Sequence, residues 1–469
     1  MGQRSWKTWA FRGLVGLGLL VLLLGLVAGL YLRASLPELD GTHTVPGLKA
    51  EVTVARDGRG VPEISGKDRL DLAYATGFVH AQERFFQMDL LRRTASGELA
   101  ELFGPKAVPL DKQHRLHRFR ARAEQVLARL NPDERAFVDR YVAGVNDGLN
   151  ALTAKPFEYA LTGTSARAWS ATDSLLVVWA MFFDLQGGQE ARELARGWLK
   201  EHADYAQLAF LLPDMTQWDA PLDAASVAAP GGPIPAAPPA WWGGGGTEPR
   251  KLAGLNFVDS VGSNNYALAG SRTVNGAAIV ADDMHLGLNL PNIWYRLALR
   301  YPDGKGGERK LVGVTLPGAP PLVIVGSNGR VAWAFTNSYG DYMDLVALDT
   351  DEAHPGQVRL PAGWESPVAH TEKILVKGGK AEEYVVRETS LGPIREAGGK
   401  QYAIHWIAHD PAAVNLNHLK LEKARTLEEA LAIANTDGIP AQNFVAGDAA
   451  GNIGWTIAGV LPRRTTPIA

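Results

Sequence analysis

The chain has 469 residues, of which 46% are hydrophobic and 21% charged, enough apolar material for a large buried core and far from a disordered composition. A net charge of -3, with no Lys/Arg-rich run after the N-terminus, leaves no footprint for nucleic acid. With no cysteine at all, disulfides, thiolate metal sites and a cysteine nucleophile are excluded, which suits an oxidising compartment.

Arg4, Lys7 and Arg12 precede Gly13 to Leu32, an uncharged run rich in Leu, Val and Gly that Arg33 closes. About 20 apolar residues are enough to span a bilayer as a helix. The cleavage context around Val27-Ala28-Gly29 is poor, so residues 1–33 read as a retained anchor in preference to a cleaved signal. The positive flank stays cytoplasmic, which sends the remainder to the periplasmic or extracytoplasmic face of the membrane.

Next, the alternation in EVTVARD predicts a strand. From Lys67 to Phe103, apolar residues such as Leu70, Ala73, Phe78, Ala81, Phe85 and Met88 recur at three- and four-residue steps, predicting a long helix interrupted near Gly97. Helical character continues from Val126 to Leu152. Ser170 or Thr172 then offers an N-cap for a buried helix over Leu175 to Phe183. Residues 34–227 therefore form a mainly helical region. Residues 228–262 form a Gly/Pro-rich spacer in which neither helix nor sheet is favoured. From 263 to 469 the pattern changes to strands: Tyr266 to Ala269, Ala277 to Ala281, Trp294 to Arg300, Leu311 to Thr315, Leu322 to Val325 and Val331 to Thr336. Turns at Asn275-Gly276 and Ser327-Asn328-Gly329 punctuate them.

No G-x-S-x-G elbow, H-E-x-x-H, Walker loop or dinucleotide fingerprint is present. His114 and His117, three apart in an Arg/Lys-rich helix, read as a solvated face in preference to a metal pair. What remains is Ser263, directly after Gly262. A serine hydroxyl needs a base, and its own α-amine, with a pKa of about 7.7 to 8.0, can serve once the preceding peptide bond is cut. Glycine before it admits the strained turn that such self-attack requires. On residue chemistry alone, a Gly-Ser-Asn-Asn turn opening a strand explains the same letters.

The stretch GSNNYALAGSRTVNGAAIVADDMHLGLNLPNIWY resembles the start of the β-chain in the penicillin acylase family of N-terminal nucleophile hydrolases. There, G-S-N-N-W-V is followed by a strand and an N-D-P-H-L-like turn. Three further blocks resemble the family in order: GVPEISGKDRLDLAYATGFVHAQERFFQMDLLRRTASGELAELFG its α-chain opening, LPGAPPLVIVGSNGRVAWAFTNSYGDYMDL its β-chain middle, and AQNFVAGDAAGNIGWTIAGVLPRR a later β segment. These four separated blocks lie in order on both sides of the spacer, and the resemblance extends over essentially everything from Ser35 to Arg464.

The resemblance implies an α+β, four-layer αββα sandwich with a mainly helical α-chain part. The precursor is split into α- and β-chains that remain together as a heterodimer. It makes Ser263 the nucleophile and its freed amine the base. His285 stands where the cephalosporin and acyl-homoserine-lactone acylases have a histidine near the serine. The Asn337 N–H and the Asn443 side-chain amide match the two oxyanion donors, and Arg464 matches an arginine beside them. Asp341, the Met343 carbonyl and Asp344 match calcium ligands, with Glu193, or alternatively Glu190, completing a structural calcium site from the helical part.

Two departures stand out: Met284 replaces the turn's usual proline, and Tyr266 replaces a tryptophan. Chains of this kind generally continue for a few hundred residues more, where the family's acidic partner of the histidine lies, so the β-chain region 263–469 is expected to be shortened. The expected reaction is hydrolysis of a small-molecule acyl amide. The alternatives are a catalytically silent, membrane-anchored binding protein and an unrelated helix-plus-sheet scaffold.

Overall fold

The computed structural model describes residues 3–213, 232–242 and 263–463. Helix α1 (Gln3–Ala34) is long and apolar enough to cross a membrane, and its most hydrophobic 18 residues are all exposed. Only its last turn meets the body: the Tyr31 hydroxyl donates to the Lys155 carbonyl at 3.2 Å, and the Ala34 carbonyl accepts from the Ala154 amide at 2.9 Å.

Two short strands follow, β1 (Thr53–Arg56) and β2 (Pro62–Ser65), and then helix α2 (Arg69–Ser96). The Asp68 side chain caps α2 by accepting from the Leu70 amide. Gly97 ends it at φ 66°, a left-handed conformation that glycine adopts without strain. Short helices α3 (Ala100–Phe103) and α4 (Val108–Arg115) come next. The helix expected over 126–152 is two, α5 (Phe119–Leu127) and α6 (Pro132–Ala151). Pro132 lacks the N–H that a continuous helix needs there, and Asn131 and Glu134 form a capping box that starts the second helix. Helix α6 lies so close to α2 that a Cβ on Gly144 would sit 1.9 Å from the Tyr74 carbonyl oxygen.

Helix α7 (Phe157–Thr162) precedes α8 (Ala171–Gln186), whose N-cap is Ser170 in a capping box with Asp173, as its sequence predicts. Helices α9 (Gln189–His202) and α10 (Tyr205–Leu211) complete the helical part. Of the spacer, only residues 232–242 are described; there Trp241 packs edge-on against Trp198 and donates to the His202 carbonyl at 3.0 Å.

After the spacer come β3 (Asn264–Leu268), β4 (Ile279–Asp283), β5 (Tyr295–Pro302), β6 (Glu308–Thr315), β7 (Val325–Ser327) and β8 (Val331–Asn337). The strand expected at 322–325 starts later, at Val325, because the Leu322 amide turns back to donate to the Pro320 carbonyl at 2.7 Å. Strands β9 (Met343–Ala347), β10 (Val358–Leu360), β11 (Gly363–Glu365), β12 (Val368–Ile374), β13 (Glu382–Thr389), β14 (Gly392–Ala397) and β15 (Lys400–Trp406) lead to helix α11 (Leu427–Ala434). Strands β16 (Gln442–Asp448) and β17 (Ile453–Ala458) close the described chain.

The main sheet has eight strands in the order β1-β2-β5-β6-β7-β8-β16-β17. Strand β2, which the sequence did not reveal, runs parallel to β5 and ties the helical region into the sheet. One face of this sheet buries Leu297, Leu299, Trp333 and Phe444 against Leu72 and Val79 of α2 and Ala430 of α11. The other face carries the two-stranded ribbon β3–β4, which lies across β8 and β16. Gly447 permits the approach, since a Cβ there would come 2.6 Å from that of Ala278. A five-stranded sheet, β12-β13-β14-β15-β9, packs Ile404 and Trp406 against α5 and α8.

The mixed helix and sheet content agrees with the expected fold class. The reading of His114 and His117 as a solvated face does not hold. His117 is 4% exposed and lies 3.0 Å, Nδ1 to Nε2, from His409, while His114 stacks on Phe183. The pair occupies the joint between the helices and the five-stranded sheet, and spacing alone could not place that joint on their side of the helix.

Candidate active site

Ser263 is the first described residue after the spacer and stands immediately before β3. Strands β3 and β4 pair antiparallel with Asn264 opposite Asp283 and Asn265 opposite Asp282, which carries the 284–286 turn past the serine. The His285 backbone amide donates to Ser263 Oγ at 3.2 Å. A hydroxyl that accepts this bond keeps its own proton free to be given away.

The imidazole of His285 does not reach the serine. Its Nε2 lies 2.9 Å from Asp283 Oδ2, and the ring is 36% exposed. His285 thus meets the nucleophile through its main chain, and its acidic partner is Asp283, at the end of β4.

Asn337 ends β8, and Asn443 lies on β16 opposite Thr336. The Asn443 amide nitrogen donates to the Asn337 carbonyl at 3.3 Å, and its oxygen accepts from Trp455 Nε1 at 3.1 Å. Because an indole N–H only donates, Trp455 fixes which end of the amide is oxygen and leaves the NH₂ pointing back toward Asn337. The Asn337 side chain donates to the Leu185 carbonyl on α8 at 3.3 Å. Ser263 and Asn337 open onto one recess of ≈ 30 Å³, walled by Met181, Leu185, Leu286, Trp294 and Phe335. A hydroxyl and an amide-bearing strand end thus share a small apolar socket. Arg464 lies outside the described residues.

Asp282 was not singled out by the sequence. Burial pushes its carboxyl up to about 7, and the charge of Asp283 adds to this, against a weaker opposing pull from the Phe335 and Asp283 amides. Those amides fall short of hydrogen-bonding geometry: neither Asp282 oxygen, nor the amide nitrogen of its partner Asn265, has a hydrogen bond. A wider cleft of ≈ 450 Å³ opens beyond Asp282 between Val280, Arg296 and Val312, and Ser263 is not on its wall. An aspartate in DDMHL looks like any turn residue until the ribbon is laid over the sheet.

The expected calcium ligands come from two elements. Helix α9 lies against β9, and Gln189 grips the loop between, donating to the Gly340 carbonyl at 2.9 Å and accepting from the Tyr342 amide at 3.1 Å. Burial pushes the Glu193 carboxyl up; Arg196 opposes this, and the charges of Asp341 and Asp344 add to it. Glu190 is taken by Arg395, at 2.9 Å, which leaves Glu193 as the helical candidate. Among the described residues, no three His, Asp or Glu side chains converge closely enough to hold an ion.

The family model described as penicillin amidase matches residues 51–468. The chain is 29% identical over 447 residues to the acyl-homoserine lactone acylase QuiP of Pseudomonas aeruginosa, covering 92% of this chain and 52% of that protein. It is 30% identical over 474 residues to penicillin acylase 2 proenzyme of Pseudomonas sp. (strain SE83), covering 92% and 55%. Against penicillin G acylase of Escherichia coli, identity is 25% over 474 residues, covering 88% and 54%. The chain spans about half the length of the curated relatives it matches. A solved thermostable penicillin G acylase from Alcaligenes faecalis aligns at a TM-score of 0.39 and 24% identity over 44% of this chain and 37% of that one, too weak a likeness to carry an argument.

Proposed function

Because the chain belongs to the penicillin amidase family, we propose that it matures by cutting itself before Ser263 and then hydrolyses acyl amides through an acyl-enzyme on that serine. The observation carrying this reading is the socket: Ser263 Oγ, bonded by the His285 amide at 3.2 Å, opens onto the same recess as Asn337.

In turnover, Oγ attacks the amide carbonyl while the freed Ser263 α-amine takes its proton. Negative charge grows on the carbonyl oxygen, where the Asn337 N–H and the Asn443 amide would donate. The C–N bond breaks, the departing amine carries off the proton, and water then attacks the ester and releases the carboxylic acid. The 2.9 Å contact between Asp283 and His285 holds the turn that presents the His285 amide. Arg464 is kept in this reading as the arginine beside the oxyanion site.

The four-layer αββα arrangement belongs to the same proposal. The described residues supply a helical layer, the eight-stranded sheet and a ribbon on that sheet's second face. A calcium ion is proposed where α9 meets β9: its charge would offset the mutual repulsion of Glu193, Asp341 and Asp344 and would draw their carboxylates, with the Met343 carbonyl, together around it. Such an ion would bridge α9 to β9.

N-terminal sequencing of the expressed protein tests the nucleophile. A polypeptide beginning Ser-Asn-Asn-Tyr is expected, and Ser263→Ala should remain one chain without amidase activity. An uncut chain that hydrolyses amides, or an active Ser263→Ala, would overturn the assignment.

A further inference from the structure

A groove of ≈ 700 Å³ lies where three separate segments meet: Ser35–Pro37 directly after α1, Pro156–Glu158 at the start of α7, and Asn289–Ile293 in the loop leading from the 284–286 turn to β5. Phe86 of α2 forms part of its apolar floor. The third segment continues directly from the catalytic turn, and its neighbours Leu286 and Trp294 wall the Ser263 recess. Groove and nucleophile are therefore served by one stretch of chain.

Apolar side chains stand exposed at the rim of this groove: Leu290, which lines it, and its neighbour Leu288 are 102% and 103% exposed, and Leu36, also lining it, 64%. The loop is not frayed, because its base is held to α2: the Asn292 carbonyl accepts from Arg84 at 2.7 Å and from Gln87 at 3.0 Å. Scattered leucines on a surface are ordinary, but two fully exposed ones on an anchored loop, with Leu36 across the same groove, form a patch that water disfavours. The position of the patch names its partner. The first groove residues follow the apolar helix by one to three positions, and three extended residues reach at most about 10 Å. Any bilayer that holds α1 lies within that distance of the groove mouth.

We propose that the 287–291 loop and the groove rim dock on the lipid surface that holds α1, and that acyl amides dissolved in that leaflet lie with their tails in the groove and their amides presented to Ser263. The docking rests on α1 being a retained anchor, and the substrate class rests on the amidase reading. An amphiphile with a long acyl chain concentrates in lipid, and a groove opening onto lipid spares its tail from crossing water.

The chain lacks cysteine, so single labels are clean. The full chain, carrying Leu288→Cys or Leu290→Cys labelled with an environment-sensitive fluorophore, is placed in phospholipid vesicles containing spin-labelled lipid. Val385→Cys, on the five-stranded sheet, is the control. Several-fold stronger quenching at 288 and 290 than at 385 is expected. Equal quenching, or a blue shift without lipid quenching, which would mean burial against protein, overturns the docking. Amidase failure leaves this readout intact, so the two readings fail separately. Leu288→Asp should raise KM several-fold for a long-chain amide presented in vesicles and leave a short soluble amide unaffected; an equal change for both overturns the supply from lipid.

Discussion

Asp282 gives the residue scale its clearest consequence. Its carboxyl is raised to about 7 by burial, so the folded state binds a proton that the unfolded chain releases near pH 4. Stability contributed by this group is full below the unfolded value, falls as pH rises toward 7 and is flat above it. Asp282→Asn should therefore melt higher than the native protein at pH 8 and about equally at pH 4; a constant difference across that range would deny the shift. Asn443 is the complementary case, because its NH₂ is aimed and held by Trp455. Asn443→Ala should lower kcat by roughly 10²–10³-fold, as loss of an oxyanion donor does elsewhere, with little change in melting temperature. Ser263, Asn337 and Asn443 stood out in the sequence because motifs that resemble the family carry them. The turning of the His285 ring onto Asp283 and the burial of Asp282 were not, since both depend on how the ribbon lies over the sheet.

At the scale of elements, two helix ends were readable, the stop of α2 at Gly97 and the start of α8 at Ser170, whereas the caps at Asp68 and Asn131, and with the latter the break between α5 and α6, were not singled out. Strand β2 and the late start of β7 were hidden because pairing across the sheet, and the turn of the Leu322 amide onto the Pro320 carbonyl, decide them. Close contact between α2 and α6 has a direct test. Gly144→Ala pushes a methyl group into the Tyr74 carbonyl, at 1.9 Å, and should destabilise by about 1–3 kcal/mol in urea unfolding, as overpacking does. The joint of α4 and α5 with the five-stranded sheet is sensitive to acid. Burial holds both His117 and His409 well below the usual histidine value, with Arg122 and Arg395 nearby opposing a further positive charge. The unfolded chain takes up protons below about pH 6.5 that these rings refuse, so stability should fall from pH 7 to pH 5. A double His117→Phe, His409→Leu variant should flatten that fall; an unchanged slope would place the acid sensitivity elsewhere.

Across the whole molecule, the spacer separates the chain without separating its cores. Ile64, Leu72 and Val79 from before the spacer share a core with Leu299, Trp333 and Phe444 from after it. Phe119 and Trp179 likewise pack with Trp406 from the five-stranded sheet. Ion pairs reinforce the seam, with Arg69 bonded to Glu422 at 2.7 Å and both Arg118 and Arg122 to Glu388. The proposed calcium would add another tie: chelation should lower the melting temperature by a few degrees, and Asp344→Ala should remove that response, because an ion bound only to the folded state stabilises it by mass action. A cut at Gly262–Ser263 would therefore leave two polypeptides whose apolar contacts are already made. Salt confines interactions between exposed charges to about 10 Å at 0.1 M and to about 3 Å at 1 M, whereas burial of apolar surface is undiminished by salt. The two chains should copurify through 1 M salt and through chelation, and part only in denaturant, in one transition shared by helical and tryptophan signals. Separation in salt alone would mean that the charged seam, and not the shared core, holds the halves together.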